Sequence, residues 1–169
     1  MATRNIQPTE EPTRDVVITR LLNAPRELVW KAWTEPERLK LWWGPTEFTT
    51  PTFNIDLRVG GKFLFCMRSP EGQDYWGTGE YREIVPPSRL VYTDNFADEK
   101  GAIVPASHYG MQGVWASPLL VTVTLEDQDG KTKMTMRHQG IPAGEMGEMT
   151  SQGWSGSFDK LETYLRRTA

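Results

Sequence analysis

The chain has 169 residues, 38% of them hydrophobic, and its formal net charge is −3. This length fits one domain with a sizeable core, and the acidic balance argues against binding to nucleic acid or to anionic lipid surfaces. No stretch approaches the roughly 18 apolar residues that a membrane helix needs, and the first residues lack the basic and apolar segments of a signal peptide.

The N-terminal part predicts a flexible arm followed by a strand. Residues 1–13 are polar and contain two prolines, so we expect a frayed arm, with a single domain over residues 14–169. Residues 16–22 are rich in β-branched side chains and predict the first strand.

Two short helices are predicted after this strand. Pro25 is typical of a first helical turn, because proline has no amide to leave unpaired there. Thr34, three residues before Glu37, predicts a capping box at the start of a second helix that ends near Gly44.

The apolar period changes to two after the helices and predicts antiparallel strands over residues 48–57, 62–68, 75–85 and 89–96. The sequence leaves undecided which face of the third of these strands is turned inward. The inward face is formed either by Trp76, Thr78, Glu80 and Arg82, or by Tyr75, Tyr81 and Glu83. A bulge at one of its two glycines, Gly77 or Gly79, could also switch the faces midway.

The single cysteine, Cys66, lies in an apolar run of the second of these strands. One cysteine excludes an internal disulfide, so a reducing compartment is allowed, and we expect a cytoplasmic protein. We interpret Cys66 as a buried structural thiol, since a catalytic thiol needs an electropositive, partly exposed setting and only Arg68 is near in sequence.

Residues 97–117 break any periodicity, and a loop of this length is usually either functional or disordered. Trp115 lies near its end and would gain by folding inward. Residues 119–126 and 131–138 then predict a hairpin with one apolar face, and residues 144–167 predict a long amphipathic helix. Four glycines in its first half indicate either a broken start or a close approach to another surface.

The chain contains seven Trp, six Phe, five Tyr and seven Met residues, which must find room under this single helix. Such side chains can line a pocket for an apolar ligand or fill a core, and composition alone favours the solid core.

An ordered set of motifs resembles the family named for the activator of the Hsp90 ATPase. The motifs are Ala24-Pro25-Arg26-Glu27-Leu28-Val29-Trp30, Leu41-Trp42-Trp43-Gly44-Pro45, Gly60-Gly61-Lys62-Phe63, Pro86-Pro87-Ser88-Arg89-Leu90 and Phe158-Asp159-Lys160-Leu161. The resemblance covers residues 15–167. It implies an α+β helix-grip fold of the START-like, or Bet v 1-like, superfamily. In this fold a curved antiparallel sheet of six to seven strands surrounds the C-terminal helix and leaves an apolar, ligand-sized cavity.

Relatives in this superfamily bind apolar molecules, so our leading hypothesis is a non-catalytic module that binds a small apolar or amphipathic molecule. We expect no cofactor and no metal. The residues expected to line the site are Phe65, Met67, Tyr92, Asp94, Trp115, Met134, Met136, His138, Trp154 and Phe158. The cochaperone role does not follow, because the eukaryotic activator carries an additional N-terminal domain for which this chain has no room.

Two of the residues expected to line the site, His138 and Asp94, carry titratable side chains. Strand alternation places His138 on the face of Met134 and Met136, where it could bind or exchange protons, although bonding to backbone or water is the simpler reading. Asp94 shares a face with Tyr92. It could orient a polar ligand group or, as we favour, bond to a neighbouring strand.

No motif for a serine nucleophile, a zinc site or a phosphate loop occurs in the chain. Two alternatives to simple ligand binding remain. One is a cyclase- or hydrolase-type enzyme that uses His138 and Asp94 as acid–base groups. The other is a protein-interaction module, such as a chaperone modulator. We expect a monomer or a weak homodimer.

Overall fold

The computed structural model describes residues 13–168. Within them the elements are β1 (Thr13–Leu22), α1 (Arg26–Thr34), α2 (Pro36–Trp42), β2 (Thr49–Ile55), β3 (Lys62–Arg68), β4 (Asp74–Val85), β5 (Arg89–Ala97), β6 (Leu119–Gln128), β7 (Lys131–Pro142) and α3 (Glu145–Thr168). The predicted N-terminal arm lies outside the described residues, apart from Thr13. None of the helices described is both long and apolar enough to cross a membrane.

The strands of this region form one antiparallel sheet in the spatial order β1-β7-β6-β5-β4-β3-β2. Register shifts in β1, β2 and β4 bend the sheet. The concave face packs on the apolar stripe of α3, in which Phe158, Leu161 and Leu165 are buried. The predicted helix-grip fold is therefore confirmed.

Polar contacts fasten α3 at both of its sides. Arg20 on β1 donates hydrogen bonds to Asp159 and Glu162, at 3.0 and 2.8 Å. Lys160 donates to the carbonyls of Pro45 and Phe48, at 3.0 and 3.1 Å, in the segment after α2. Because both edges of the sheet are tied to it, α3 is a fixed wall of the interior.

The glycines of β4 decide which of its faces is turned inward. Gly77 pairs with Phe65 and Gly79 with Phe63, and both phenylalanine rings lie over the glycines. A Cβ on Gly77 would come within 2.4 Å of the Phe65 ring. The glycines thus make room for the rings, and the inner face carries Tyr75 and Tyr81 rather than the set that contains Trp76.

The bulge in β4 lies between Tyr81 and Glu83, not at either glycine as considered from the sequence. Beyond it, Ile84 pairs with the buried Leu90 and packs against the core, whereas Glu83 pairs with Val91 and forms an exposed ion pair with Arg89. The expectation that Glu83 faces inward with Tyr81 is therefore wrong.

The predicted capping box at the start of α2 is also wrong. Pro36 takes the first helical position, so the cap falls on Glu35, one residue later than expected. The Thr34 hydroxyl donates instead to the carbonyl of Trp30, at 2.8 Å, and closes the last turn of α1. Pro25 is the N-cap residue of α1 rather than part of its first turn.

Residues 98–118 form a covering segment between β5 and β6 that is not devoid of structure. It contains a 3₁₀ helix over Ala106–Tyr109 and a bridge between Ala97 and Ile103. The Tyr109 hydroxyl accepts a hydrogen bond from the Trp76 amide at 3.2 Å and donates one to the Ala97 carbonyl. The segment is therefore held against the end of the sheet.

Candidate functional site

Most side chains on the inner face of the sheet belong to a continuous aromatic and aliphatic core. Met134 and Met136 on β7 are fully buried, and so is Phe158 on α3. Trp33 of α1 packs against Trp154 and Phe158, with ring centres 6.1 Å away in each case. Five residues expected to line a ligand site, Phe65, Tyr92, Met134, Met136 and Phe158, are thus core residues.

A void between the sheet and the two short helices measures only about 10 Å³, roughly the space of one water molecule. Its walls are Trp33, Leu39, Trp43, Phe53, Phe63, Tyr81, Leu90 and Tyr92. Between the sheet and α3, the rings of Trp33, Trp154 and Phe158 pack against one another, so the described structure fills the place where a ligand-sized cavity was expected. Tryptophan side chains from the two short helices occupy the space.

Two polar side chains on the inner face, His138 and Asp94, lie close together at one end of this core. His138 lies opposite Val121 and Asp94 lies opposite Leu119, so the side chains come from β7 and β5 and meet across β6. His138 Nε2 is 3.2 Å from Asp94 Oδ2. Asp94 reaches past the neighbouring strand, and the bond to an adjacent strand favoured from the sequence does not form.

Trp154 of α3 determines which imidazole nitrogen carries the proton. Its indole N–H donates to His138 Nδ1 at 2.9 Å. Because Nδ1 accepts, the proton of the neutral ring lies on Nε2. The Nε2–H is not aligned with the Asp94 oxygen, and Nε2 has no hydrogen-bond partner among the described residues although His138 is only 5% exposed.

The hydroxyl of Tyr92 is a second buried polar atom without a partner within the described chain. The ring lies edge-on to Phe63, with centres 5.2 Å apart, and lines the small void. Burial, with smaller contributions from Asp94 and Tyr81, raises the pKa of Tyr92 well above its ordinary value. The phenol therefore stays protonated and keeps a donor to offer.

Half-buried residues mark one end of the inner face, which we call the open end. It comprises Met67, Tyr75, Asp94 and Phe96 on the strands, together with Trp115 of the covering segment. The Trp115 ring stands edge-on to Phe96, with centres 5.1 Å apart. Its indole N–H donates to the carbonyl of Gln112, at 2.8 Å, so its hydrogen bond is made within its own segment.

The arrangement of Asp94 and His138 meets one requirement of acid–base catalysis and fails another. Asp94 and His138 are adjacent, as an acid–base pair requires. However, Trp154 occupies Nδ1, and Nε2 carries the proton, so neither nitrogen can accept a proton from a substrate while the Trp154 bond lasts.

The Cys66 side chain is buried on the outer face of β3, as expected for a structural thiol. Burial foremost, and the Asp74 carboxylate next, raise the pKa of this thiol to about 11. Among residues 13–168, no group of three or more His, Cys, Asp or Glu side chains is arranged to hold a metal ion.

Sequence reasoning thus found Asp94, His138 and Trp154 separately but not their contact, and it missed two residues. Phe96 follows Tyr92 and Asp94 in the alternation of β5, and this signal was available. Trp33 lies on the apolar face of α1, but no pattern indicated that it would fill the interior.

Comparisons with known proteins agree with this fold. A sequence model described as Activator of Hsp90 ATPase homolog 1-like protein matches residues 23–166. A crystal structure of a Nitrosomonas europaea protein is 25% identical, with a TM-score of 0.73, over 95% of this chain and 98% of that one. One from Chromobacterium violaceum is 28% identical, with a TM-score of 0.75, over 89% and 96%.

A further crystal structure, of a protein named AHSA1 from Silicibacter pomeroyi, shares the fold at 22% identity and a TM-score of 0.74, over 92% of this chain and 100% of that one. The comparison with curated proteins gives no match.

Proposed function

The chain belongs to the activator of Hsp90 ATPase homolog 1-like family, and on this premise we propose that it binds a small apolar or amphipathic molecule at the open end of the space between the sheet and α3. The observation that carries the proposal is His138 Nε2, a buried polar atom without a hydrogen-bond partner among the described residues, which lies 3.2 Å from the Asp94 carboxylate at the open end. A buried polar atom without a partner costs about 1–3 kcal/mol, which a bound molecule with a complementary group recovers.

The route of entry is the open end. Asp94 and Phe96 are half-buried there, and the side chain that covers Phe96 belongs to the segment over residues 98–118 rather than to a strand or to α3. Backbone hydrogen bonds from Val104 to Phe96 and from Ala116 to Gly140 hold this segment. Moving Trp115 aside exposes the Phe96 ring beside the partly exposed Asp94 carboxylate without disturbing the fastened helix.

The interior void of about 10 Å³ sets a limit on where the ligand lies. A drug-sized molecule needs a site of at least roughly 300 Å³. The ligand body therefore takes the space that Trp115 vacates beside Phe96, and only its polar end reaches Asp94 and His138.

Native mass spectrometry of the protein purified from cells tests the proposal directly, together with thermal unfolding against a panel of apolar and amphipathic molecules. We expect a co-purified small molecule or a rise in melting temperature with some panel members. A protein that carries no small molecule and shows no shift with any panel member refutes the proposal.

Two matched truncations locate the site. Phe96→Ala removes the aromatic wall of the open end and should reduce the ligand-induced shift. Val114→Ala removes an exposed apolar side chain from the same covering segment and should leave the shift unchanged. Equal effects of the two substitutions would place the ligand elsewhere.

A further inference from the structure

The donor and the acceptor at the base of the open end lie side by side without satisfying each other. His138 Nε2 carries a proton and lies 3.2 Å from Asp94 Oδ2, yet the two groups are not aligned as a hydrogen bond. The carboxylate of Asp94 receives no hydrogen bond from any residue between 13 and 168 in the structure. A single ligand group that both donates and accepts a hydrogen bond can supply the missing partner to His138 Nε2–H and to the Asp94 carboxylate.

Charge adds a second condition to this site. The bond from Trp154 to Nδ1 is incompatible with a proton on Nδ1, so the imidazole beside Asp94 is neutral while that bond lasts. Within the described chain, no arginine or lysine forms an ion pair with Asp94. The site therefore presents the negative charge of one carboxylate to the polar end of a ligand.

We infer that the polar end of the ligand is a neutral hydroxyl, which donates to Asp94 and accepts from His138 Nε2–H, and that the site rejects carboxylates. This rests on the proposed function and specifies its ligand class: alcohols or phenols with an apolar body, rather than fatty or aromatic acids. A hydroxyl is the smallest group with one donor and free acceptor lone pairs. An acid places a second negative charge next to Asp94 in a partly desolvated position, where like charges repel strongly.

The two contacts differ in accessibility. The Asp94 side chain is 21% exposed, whereas His138 is almost completely enclosed. A hydroxyl that arrives from the open end meets the carboxylate first and the imidazole behind it. The side chains that fix this arrangement, Trp154 on the fastened α3 and Asp94 on a central strand, need not move.

Isothermal titration with three molecules that share one body tests the inference: 2-naphthol, 2-naphthoate and 2-methylnaphthalene. We expect 2-naphthol to bind more tightly than 2-methylnaphthalene, and at least about tenfold more tightly than 2-naphthoate, the size of effect that one like charge at short range produces. The pair 1-decanol and decanoate repeats the comparison with a flexible body. These measurements use the unaltered protein and do not depend on any variant.

Asp94→Asn keeps the shape and removes the charge. It should bring the dissociation constants of 2-naphthol and 2-naphthoate closer together, so that the preference for 2-naphthol falls at least severalfold. Glu126→Gln makes the same change of net charge at an exposed position on β6 and should leave the ratio unchanged. Circular dichroism and the melting temperature of each variant verify that it is folded.

The outcomes separate this inference from the proposed function. Equal affinity for the alcohol and the acid, or a ratio that Asp94→Asn leaves unchanged, overturns the hydroxyl site and leaves apolar ligand binding standing. A co-purified carboxylic acid bound at the open end overturns it as well. Absence of binding by both bodies, together with a protein that carries no small molecule, overturns both.

Discussion

Replacing Gly77 by alanine tests the packing that shapes the inner face of the sheet. A Cβ on this residue would lie 2.4, 2.7 and 3.0 Å from three atoms of the Phe65 ring. The ring cannot retreat freely, because Trp43 and Phe53 pack against it with centres 5.3 and 5.4 Å away. Glycine to alanine in a strand ordinarily stabilises by about 0.5–1 kcal/mol. Overpacking of a dense core costs about 1–3 kcal/mol, and because the ring is held on both sides we expect the upper end, about 3 kcal/mol, which leaves a net loss of about 2 kcal/mol.

Urea denaturation followed by tryptophan fluorescence and by circular dichroism measures the free energy of unfolding. The expected loss corresponds to a fall in melting temperature of roughly 4–8 °C for a chain of this size. Phe65→Leu in the Gly77→Ala background should restore part of the loss, whereas Phe65→Leu alone should destabilise, so the double-mutant cycle should show a coupling of at least about 1 kcal/mol. A Gly77→Ala protein as stable as the parent would refute the account of the close approach between β4 and the Phe65 ring.

Three further predictions follow from the same contacts. Gly153→Ala should stabilise the protein by up to about 1 kcal/mol in urea denaturation, because its Cβ would meet only Pro45, at 3.5 Å. Gly156→Ala should destabilise it, because its Cβ would lie 2.8 Å from the amide nitrogen of Thr46. Changes in the free energy of unfolding with the same sign for both substitutions would contradict this. Cys66, with a pKa raised to about 11 and a buried side chain, should react with a disulfide reagent at pH 8 only after unfolding, and rapid labelling of the native protein would contradict its burial. Nitrogen-15 NMR at neutral pH should show His138 with its proton on Nε2, and Trp154→Phe should shift the tautomer populations; a proton on Nδ1 in the parent protein would contradict the Trp154 bond.

The elements of the fold could be predicted from the sequence because each one has a local pattern of apolar and polar residues. The alternation in β6 and β7 and the apolar stripe of α3 indicated a sheet with one dry face and a helix to cover it, and the structure has both. The errors lie at positions where one residue changes the outcome. Pro36 takes the first helical position of α2 and displaces the cap to Glu35, so Thr34 belongs to α1. The bulge after Tyr81 turns the rest of β4 over.

The interior could not be predicted, because its filling depends on how helices and strands are placed in three dimensions. The family resemblance implied a ligand-sized cavity, yet Trp33 and Trp43 reach between the sheet and α3 and leave a water-sized void. Composition alone had favoured a solid core, and on this point it was the better guide. The chain contains seven tryptophans, and several of them pack together in the interior, next to the sheet and α3.

The contact between Asp94 and His138 depends on strand order, which no local pattern contains. Alternation assigned both residues to the inner face, but only the order β5-β6-β7 brings them together across β6, and only α3 supplies the Trp154 bond that selects the tautomer. The same order explains why the polar groups lie at the edge of the core. Further inside, the next row across the sheet consists of the buried apolar side chains of Leu90, Val123 and Met136, and a charged group there would be desolvated on every side. At the open end Asp94 keeps partial access to solvent. The ligand site that we propose therefore lies at this rim rather than in the filled interior, and binding there requires the covering segment with Trp115 to move.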